Sequence, residues 1–177
     1  AELNEALQVL KESIEKRMGS GAGLASSSIQ RTVGTRIFRG TYNTSNWYGE
    51  ISALPVDAET GDVGSVEWLA SDHIPIWSSR NILSFNGSSG IVLDAANLSA
   101  TQVSTLEASG LGTAEQLVNF VRGDTSNNVA SGGSLRTRLN PIGDIVHSAP
   151  TYYNDTVYIG ANDGMLHAVS ASTGAER

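Results

Sequence analysis

The sequence predicts a mainly β protein of the α+β kind: a long N-terminal amphipathic helix, small sheets of short strands, and one or two short helices. Two observations lead there. Nineteen glycines in 177 residues, with abundant Ser, Thr and Asn, place turns between short apolar stretches. The apolar period is helical before Gly19 and changes to two from Ile29.

Leu3, Leu7, Leu10, Ile14 and Met18 fall on one face of a helix over residues 2–18, which Gly19 and Gly21 end. Residues 19–134 read as a mixed region. After the small-residue run from Gly19 to Ser28, alternation through Val33, Thr35, Ile37 and Arg39 gives a strand. Trp47 to Leu54 returns beside it, and Val63 to Leu69 follows the turn Asp57–Asp62. Arg80–Phe85 and Gly90–Leu93 form a hairpin. Capping boxes at Ser99/Gln102 and Thr113/Gln116 start helices near 99–108 and 114–122. The second of these turns Leu117, Phe120 and Val121 inward. Thr125 to Ser134 is a polar loop.

Composition removes whole classes of function. The 11 cations, only two of them lysines (Lys11 and Lys16), stand against 18 acids, giving a net charge of −7. No basic face for nucleic acid is expected from that balance. No apolar run approaches the roughly 18 residues a membrane helix needs. Without cysteine there is no disulfide, thiol nucleophile or CxxC zinc site. The start at Ala1, with neither Met nor a signal-peptide pattern, predicts a processed product or an excised piece.

Residues 135–177 are the most patterned. Thr156–Gly160 is an apolar strand, Asn162-Asp163-Gly164 a tight turn, Met165–Ser170 the returning strand, and Ser172-Thr173-Gly174 the next turn. Strand, Asp-Gly turn, strand, Thr-Gly turn is half of a β-propeller blade, and a propeller needs four or more blades. No second copy of the unit is read elsewhere in the chain. The expected C-terminal region is therefore one partial blade.

The stretch LRTRLNPIGDIVHSAPTYYNDTVYIGANDGMLHAVSASTG, Leu135 to Gly174, resembles the start of the C-terminal propeller of the PilC/PilY family of type IV pilus biogenesis and tip adhesion proteins. Gly143, Asp144, His147, Ser148 and Pro150 carry the first part of the likeness. Gly160, Asn162, Asp163, Gly164 and His167 carry the second. Phe120–Asp124 and Trp47–Ile51 extend it upstream. The resemblance implies a bacterial extracellular, cell-surface or pilus-associated protein that contacts pilins, host or abiotic surfaces. The family's calcium loop, with alternating Asp and Asn, has no counterpart here, so no cofactor or metal is expected.

Catalytic candidates are few. Asp144 and His147 are three apart, but alternation through Ile145 and Val146 sends them to opposite faces, so they read as hydrogen-bonding groups. Three scattered histidines make no zinc set, and neither G-x-S-x-G nor a P-loop occurs. No enzyme is expected. Arg122-Gly123-Asp124 is an RGD tripeptide, a receptor motif in matrix proteins, but Gly123 also suits the end of the preceding helix, and that structural reading is preferred. Asn43, Asn86, Asn97 and Asn154 head Asn-x-Ser/Thr sequons in expected loops, where a glycan has room. The expected function is structural: part of a pilus assembly or tip factor. The alternative is a filament subunit joined head-to-tail to other copies of itself by strand addition at unpaired edges.

Overall fold

A computed structural model of the chain describes residues 19–26 and 34–177. The helix expected over 2–18, and the part of the first alternating stretch that precedes Gly34, lie outside those residues. Chain contacts form two compact units. One holds the described residues up to His73 together with Ile142–Arg177, and the other is Ile74–Pro141. The second is thus inserted, in chain order, into the first.

The first unit contains two antiparallel sheets. Strands β1 (Gly19–Ser26), β2 (Arg36–Asn43), β3 (Tyr48–Pro55) and β4 (Trp68–Leu69) follow one another as a four-stranded meander. Strands β5 (Leu83–Phe85) and β6 (Gly90–Val92) belong to the inserted unit. Strands β7 (Thr151–Tyr153), β8 (Thr156–Gly160) and β9 (Leu166–Ser170) then form a three-stranded meander in the first. The period of two sorts the side chains. Phe38 of β2 lies opposite Ala53, and Gly40 opposite Ile51, so all four share one face. Phe38, Ile51 and Ala53 have no exposure. From the other sheet, Val157, Ile159 and Val169 are equally buried. The sheets approach closely at Gly40: a Cβ there would lie 2.6 Å from Ile159 Cδ1 and 3.0 Å from Ile145 Cγ2. Beside it the Phe38 ring stacks on Tyr152 with centroids 5.7 Å apart.

The two meanders end in turns of the same kind. After β3, the Gly61 N–H donates to the Asp57 carbonyl, the Asp57 N–H to Asp62, and Val56 bridges Val63. After β9, Gly174 donates to Ser170, Ser170 to Ala175, and Val169 bridges Glu176. Gly61 and Gly174 take φ of 80° and 76°, the left-handed region that glycine enters without a side-chain clash. The Thr60 and Thr173 hydroxyls accept from the N–H two residues on. The correspondence runs onward, with Gly64 donating to Pro55 and Arg177 to Ala168. Only short motifs such as Ala-x-Thr-Gly are shared, so the repeat lies in backbone geometry more than in residue identity. The indole of Trp68 ties the sheets at this turn: Nε1 donates to the Ala171 carbonyl at 3.3 Å.

Other elements differ from expectation at their edges. The strand expected over Val63–Leu69 is a bridge at Val63, single bonds from Gly64 and Glu67, and the two-residue β4. The partial blade has a third strand, β7, joined to β8 through Asn154 and Asp155, both at positive φ. Asn-Asp in a two-residue loop is a hairpin signal of the favoured kind.

In the inserted unit, β5 and β6 pair as expected, and helices α1 (Ala100–Glu107) and α2 (Ala114–Arg122) begin with complete capping boxes at Ser99 and Thr113. The buried face of α2 is rotated from the expected one. Ala114, Val118 and Arg122 are buried, while Leu117 and Phe120 are half-buried and Val121 is 36% exposed. Arg122 can be buried because its guanidinium donates to the carbonyls of Leu93, Arg80 and Ser78, and Arg80 returns a bond to the Arg122 carbonyl.

Candidate functional site

The residues singled out near the C-terminus converge in space. Asp163 sits in the loop between β8 and β9, with its side chain 7% exposed. Its Oδ2 accepts the Gly143 N–H at 2.7 Å and lies 2.9 Å from His167 Nε2. Its Oδ1 accepts the Met165 N–H at 3.0 Å. The histidine contact requires the proton on Nε2. Gly143 must be glycine here, because a Cβ would lie 2.5 Å from the Asp163 nitrogen and 2.8 Å from its Cβ.

Next along, Asn162 bonds twice to Asp144: its backbone N–H to the carbonyl at 3.0 Å and its Nδ2 to Oδ2 at 2.6 Å. The loop thus grips the incoming segment by two consecutive residues. That segment is held from the other side by β3. The Gly49 N–H donates to the Ile142 carbonyl, and Tyr48 bridges Gly143. A Cβ on Gly49 would overlap the Gly143 carbonyl oxygen. Ile142 and Ile145 are buried between these contacts. Ser148 lies against Gly160, Pro150 is buried, and His147 is exposed. The stretch Asp144–His147 lies outside any sheet strand and bends at Val146 and His147, with Asp144 half-buried and His147 exposed.

Burial alone would favour the neutral form of Asp163. The hydrogen bond and charge of His167, joined by the N–H groups of Gly143 and Met165, outweigh it, so the carboxyl titrates below its ordinary value. The cluster is a buried, ionised latch with its acceptors occupied. Glu50 shows the contrary balance. Burial raises its pKa, opposed by hydrogen bonds from Ser71 and Ile51, including a Ser71 hydroxyl at 2.5 Å. Among the described residues no three His, Asp or Glu side chains are placed to share a metal ion. No helix among them is long and apolar enough to cross a membrane.

The RGD tripeptide is built into the end of α2. Gly123, at φ 118°, is the left-handed cap, and its N–H donates to the Asn119 and Phe120 carbonyls. Arg122 is 7% exposed and committed to three carbonyls. Asp124 caps the following turn by accepting from Ser126. An arginine held this way has no reach to an acidic receptor pocket.

The sequons are not equivalent. Asn43 ends β2 instead of lying in a loop, is 8% exposed, and accepts the Ser45 and Asn46 N–H groups. Asn86 accepts from Ser88 and Ser89, and Asn97 donates to the Val92 carbonyl. Asn154 stands exposed at the β7–β8 hairpin tip. Sequence reasoning missed Trp68 and Gly40 as the residues joining the sheets, and Arg80 as the partner of Arg122. The Thr-Gly turn recurring after β3 was the available signal for the first two.

Taken with the fold, the latch defines a scaffold of paired β-meanders. Three curated proteins are similar to the chain over nearly its whole length. A "Type IV pilus biogenesis factor PilY1 homolog" of Xylella fastidiosa is 30% identical over 187 residues, covering 89% of this chain and 14% of that protein. A second homolog from the same organism is 27% identical over 93% of the chain. "Type IV pilus biogenesis factor PilY1" of Pseudomonas aeruginosa is 25% identical over 96% of it. The chain is similar to PilY1 proteins over most of its own length, and spans 14–18% of the length of these relatives. No family model matches it, and no solved structure does.

Proposed function

We propose that this chain is a structural segment of a PilY1-like pilus biogenesis factor, acting at the cell surface or on the pilus through contacts and not through chemistry. The observation carrying this reading is the latch itself. The residues most alike to the family, Gly143, Asp144, Asn162, Asp163 and His167, are spent on holding two sheets and an incoming strand together. In this reading the meanders are successive blades of a propeller, the first complete and the second begun by β7, β8 and β9. The test is a bacterium whose own copy of this protein carries Gly143→Glu, which wedges a side chain into the latch. Surface pili are counted by electron microscopy, and the protein is assayed in sheared pilus fractions. Loss of pili, or of the protein from the sheared fraction, is expected. Unchanged pili with the variant present at normal level would sink the proposal.

Strand addition is a second reading with its own observation. Ala175–Arg177 occupy only the C-terminal half of the β9 edge, through the Ser170–Ala175 and Arg177–Ala168 bonds. Leu166, at the other end of β9, is 71% exposed. By the repeat, a strand continuing past Arg177, from a longer chain or a neighbouring copy, pairs there as Glu67 pairs with Ala53. Size-exclusion chromatography of the purified chain separates these sources. Concentration-dependent assembly that Leu166→Pro abolishes favours a neighbouring copy, and a monomer at every concentration removes it.

A further inference from the structure

The inserted unit holds a cavity that the scaffold does not need. It has a volume of about 630 Å3 and lies between α1, α2 and the β5–β6 region. Nine of its fourteen lining residues are apolar, among them Leu98, Leu106, Leu117, Val118, Phe120 and Leu135. Leu117, Phe120 and Val121, the residues whose spacing pointed inward from α2, line this space, with Arg138 seated over the Phe120 ring. Helix α1 closes the cavity on one side without a single buried residue of its own. Leu106 of this helix, only half-buried, is available to a guest.

The wall also indicates what the guest is. No lining residue carries a charge. Three of the five polar side chains on it are already engaged. Gln102 bonds to Ser99 and to the Phe85 carbonyl, Thr105 to the Thr101 carbonyl, and Ser109 accepts from Leu111. Backbone carbonyls nearby are taken too, Leu93 by Arg122 and Leu111 by the Ser134 hydroxyl. A polar ligand would give up its water and find few partners, at a cost. A carbon chain gives up nothing of the kind. Size narrows the choice further. An apolar cavity of about 150 Å3 accepts benzene, so one roughly four times larger accommodates an aliphatic chain of about ten to twenty carbons. A single protein side chain would leave most of that volume unfilled.

We propose that this cavity is a binding site for an acyl chain, supplied either by a free fatty acid or by the tail of a phospholipid. The site is separate from the latch and makes the inserted unit a lipid-sensing part of the chain.

The test uses the full chain and the fluorescent probe N-phenyl-1-naphthylamine. Saturable binding of one probe per chain is expected, weakened tenfold or more by the filling variants Thr105→Phe and Leu117→Trp. Val129→Ser, at an exposed apolar residue outside the wall, should bind as the unaltered chain does. Displacement by palmitate alone assigns the free acid; displacement by phosphatidylcholine vesicles assigns the lipid tail. Non-saturable binding, displacement by neither, or equal binding by filling variants that keep their circular dichroism spectrum would overturn the proposal. Should those variants unfold, carbon-13 methyl spectra of the unaltered chain decide it. Palmitate must shift Leu106, Leu117 and Val118, and the absence of such shifts overturns it equally.

Discussion

At Gly143 a single hydrogen in place of a methyl group lets a carboxylate be buried. Because a Cβ there would meet both the Asp163 nitrogen and Cβ, Gly143→Ala forces the loop away from its partner. Overpacking of this kind costs about 1–3 kcal/mol, and the midpoint of urea unfolding should fall accordingly. Asp163 adds a pH dependence with a definite sign. Its folded pKa lies below the ordinary 3.8, so its contribution to stability is complete above that value and is lost as pH falls through the lower, folded one. Asp163→Asn should flatten the acid limb of a stability profile measured by urea titration. Glu50 has the opposite sign. With a folded pKa above 4.5, it favours folding below that value and loses the contribution as pH rises through the raised one. Glu50→Gln should therefore remove a decline on the alkaline side of pH 4.5. A profile unchanged by both substitutions would contradict the assignment of these two carboxyls.

Among the elements, turns decide more than strands do. Gly164 and Gly174 both sit at positive φ, 84° and 76°, where a side chain costs about 1–2 kcal/mol. A Cβ at Gly164 meets nothing, whereas one at Gly174 would lie 2.7 Å from the Trp68 ring. Gly174→Ala should thus lower the thermal midpoint more than Gly164→Ala, and should also perturb Trp68 fluorescence. Turn chemistry was legible in the sequence wherever its signal is local: both capping boxes, the Gly123 cap, and the Asp-Gly turn are where residue types place them. The face of α2 was not legible. Leu117, Phe120 and Val121 satisfy the helical period, but what a helix buries is set by its neighbours. Here Leu93, Ser78 and Arg80 offer carbonyls to Arg122 while the leucine side looks into a cavity.

For the molecule as a whole, the likeness to PilY1 proteins was legible because motif residues such as Asn162, Asp163 and Gly164 are close together in sequence. The pairing of Asp163 with Gly143, and of Trp68 with Ala171, joins residues 20 and 103 positions apart, and no local pattern encodes that. The recurrence of the closing turn escaped notice for a related reason. It is carried by hydrogen bonds and one glycine φ, with Asp57, Glu59 and Asp62 standing where the second turn has Ser170, Ser172 and Ala175. The two units should also differ in local stability. Phe38, Ile51, Val157 and Ile159 are at or below 1% exposure, while α1 has no buried residue. Amide hydrogen exchange should leave β2, β3 and β8 protected long after α1 has exchanged. Equal protection of α1 in the unliganded chain would contradict the loosely seated helix.

The placement of the cations has a bearing on survival among proteases. Both lysines precede residue 19, so within 34–177 trypsin can cleave only after arginine. Arg36 and Arg39 lie within β2, and Arg80 and Arg122 are 3% and 7% exposed. Arg136 is exposed, and Arg138 beside it is half-buried against the Phe120 ring. Brief digestion of the folded protein should therefore nick this region first, at Arg136, releasing a C-terminal fragment that begins at Thr137 and carries β7, β8 and β9 whole. Mass spectrometry of the early products would register that cut before any within β2.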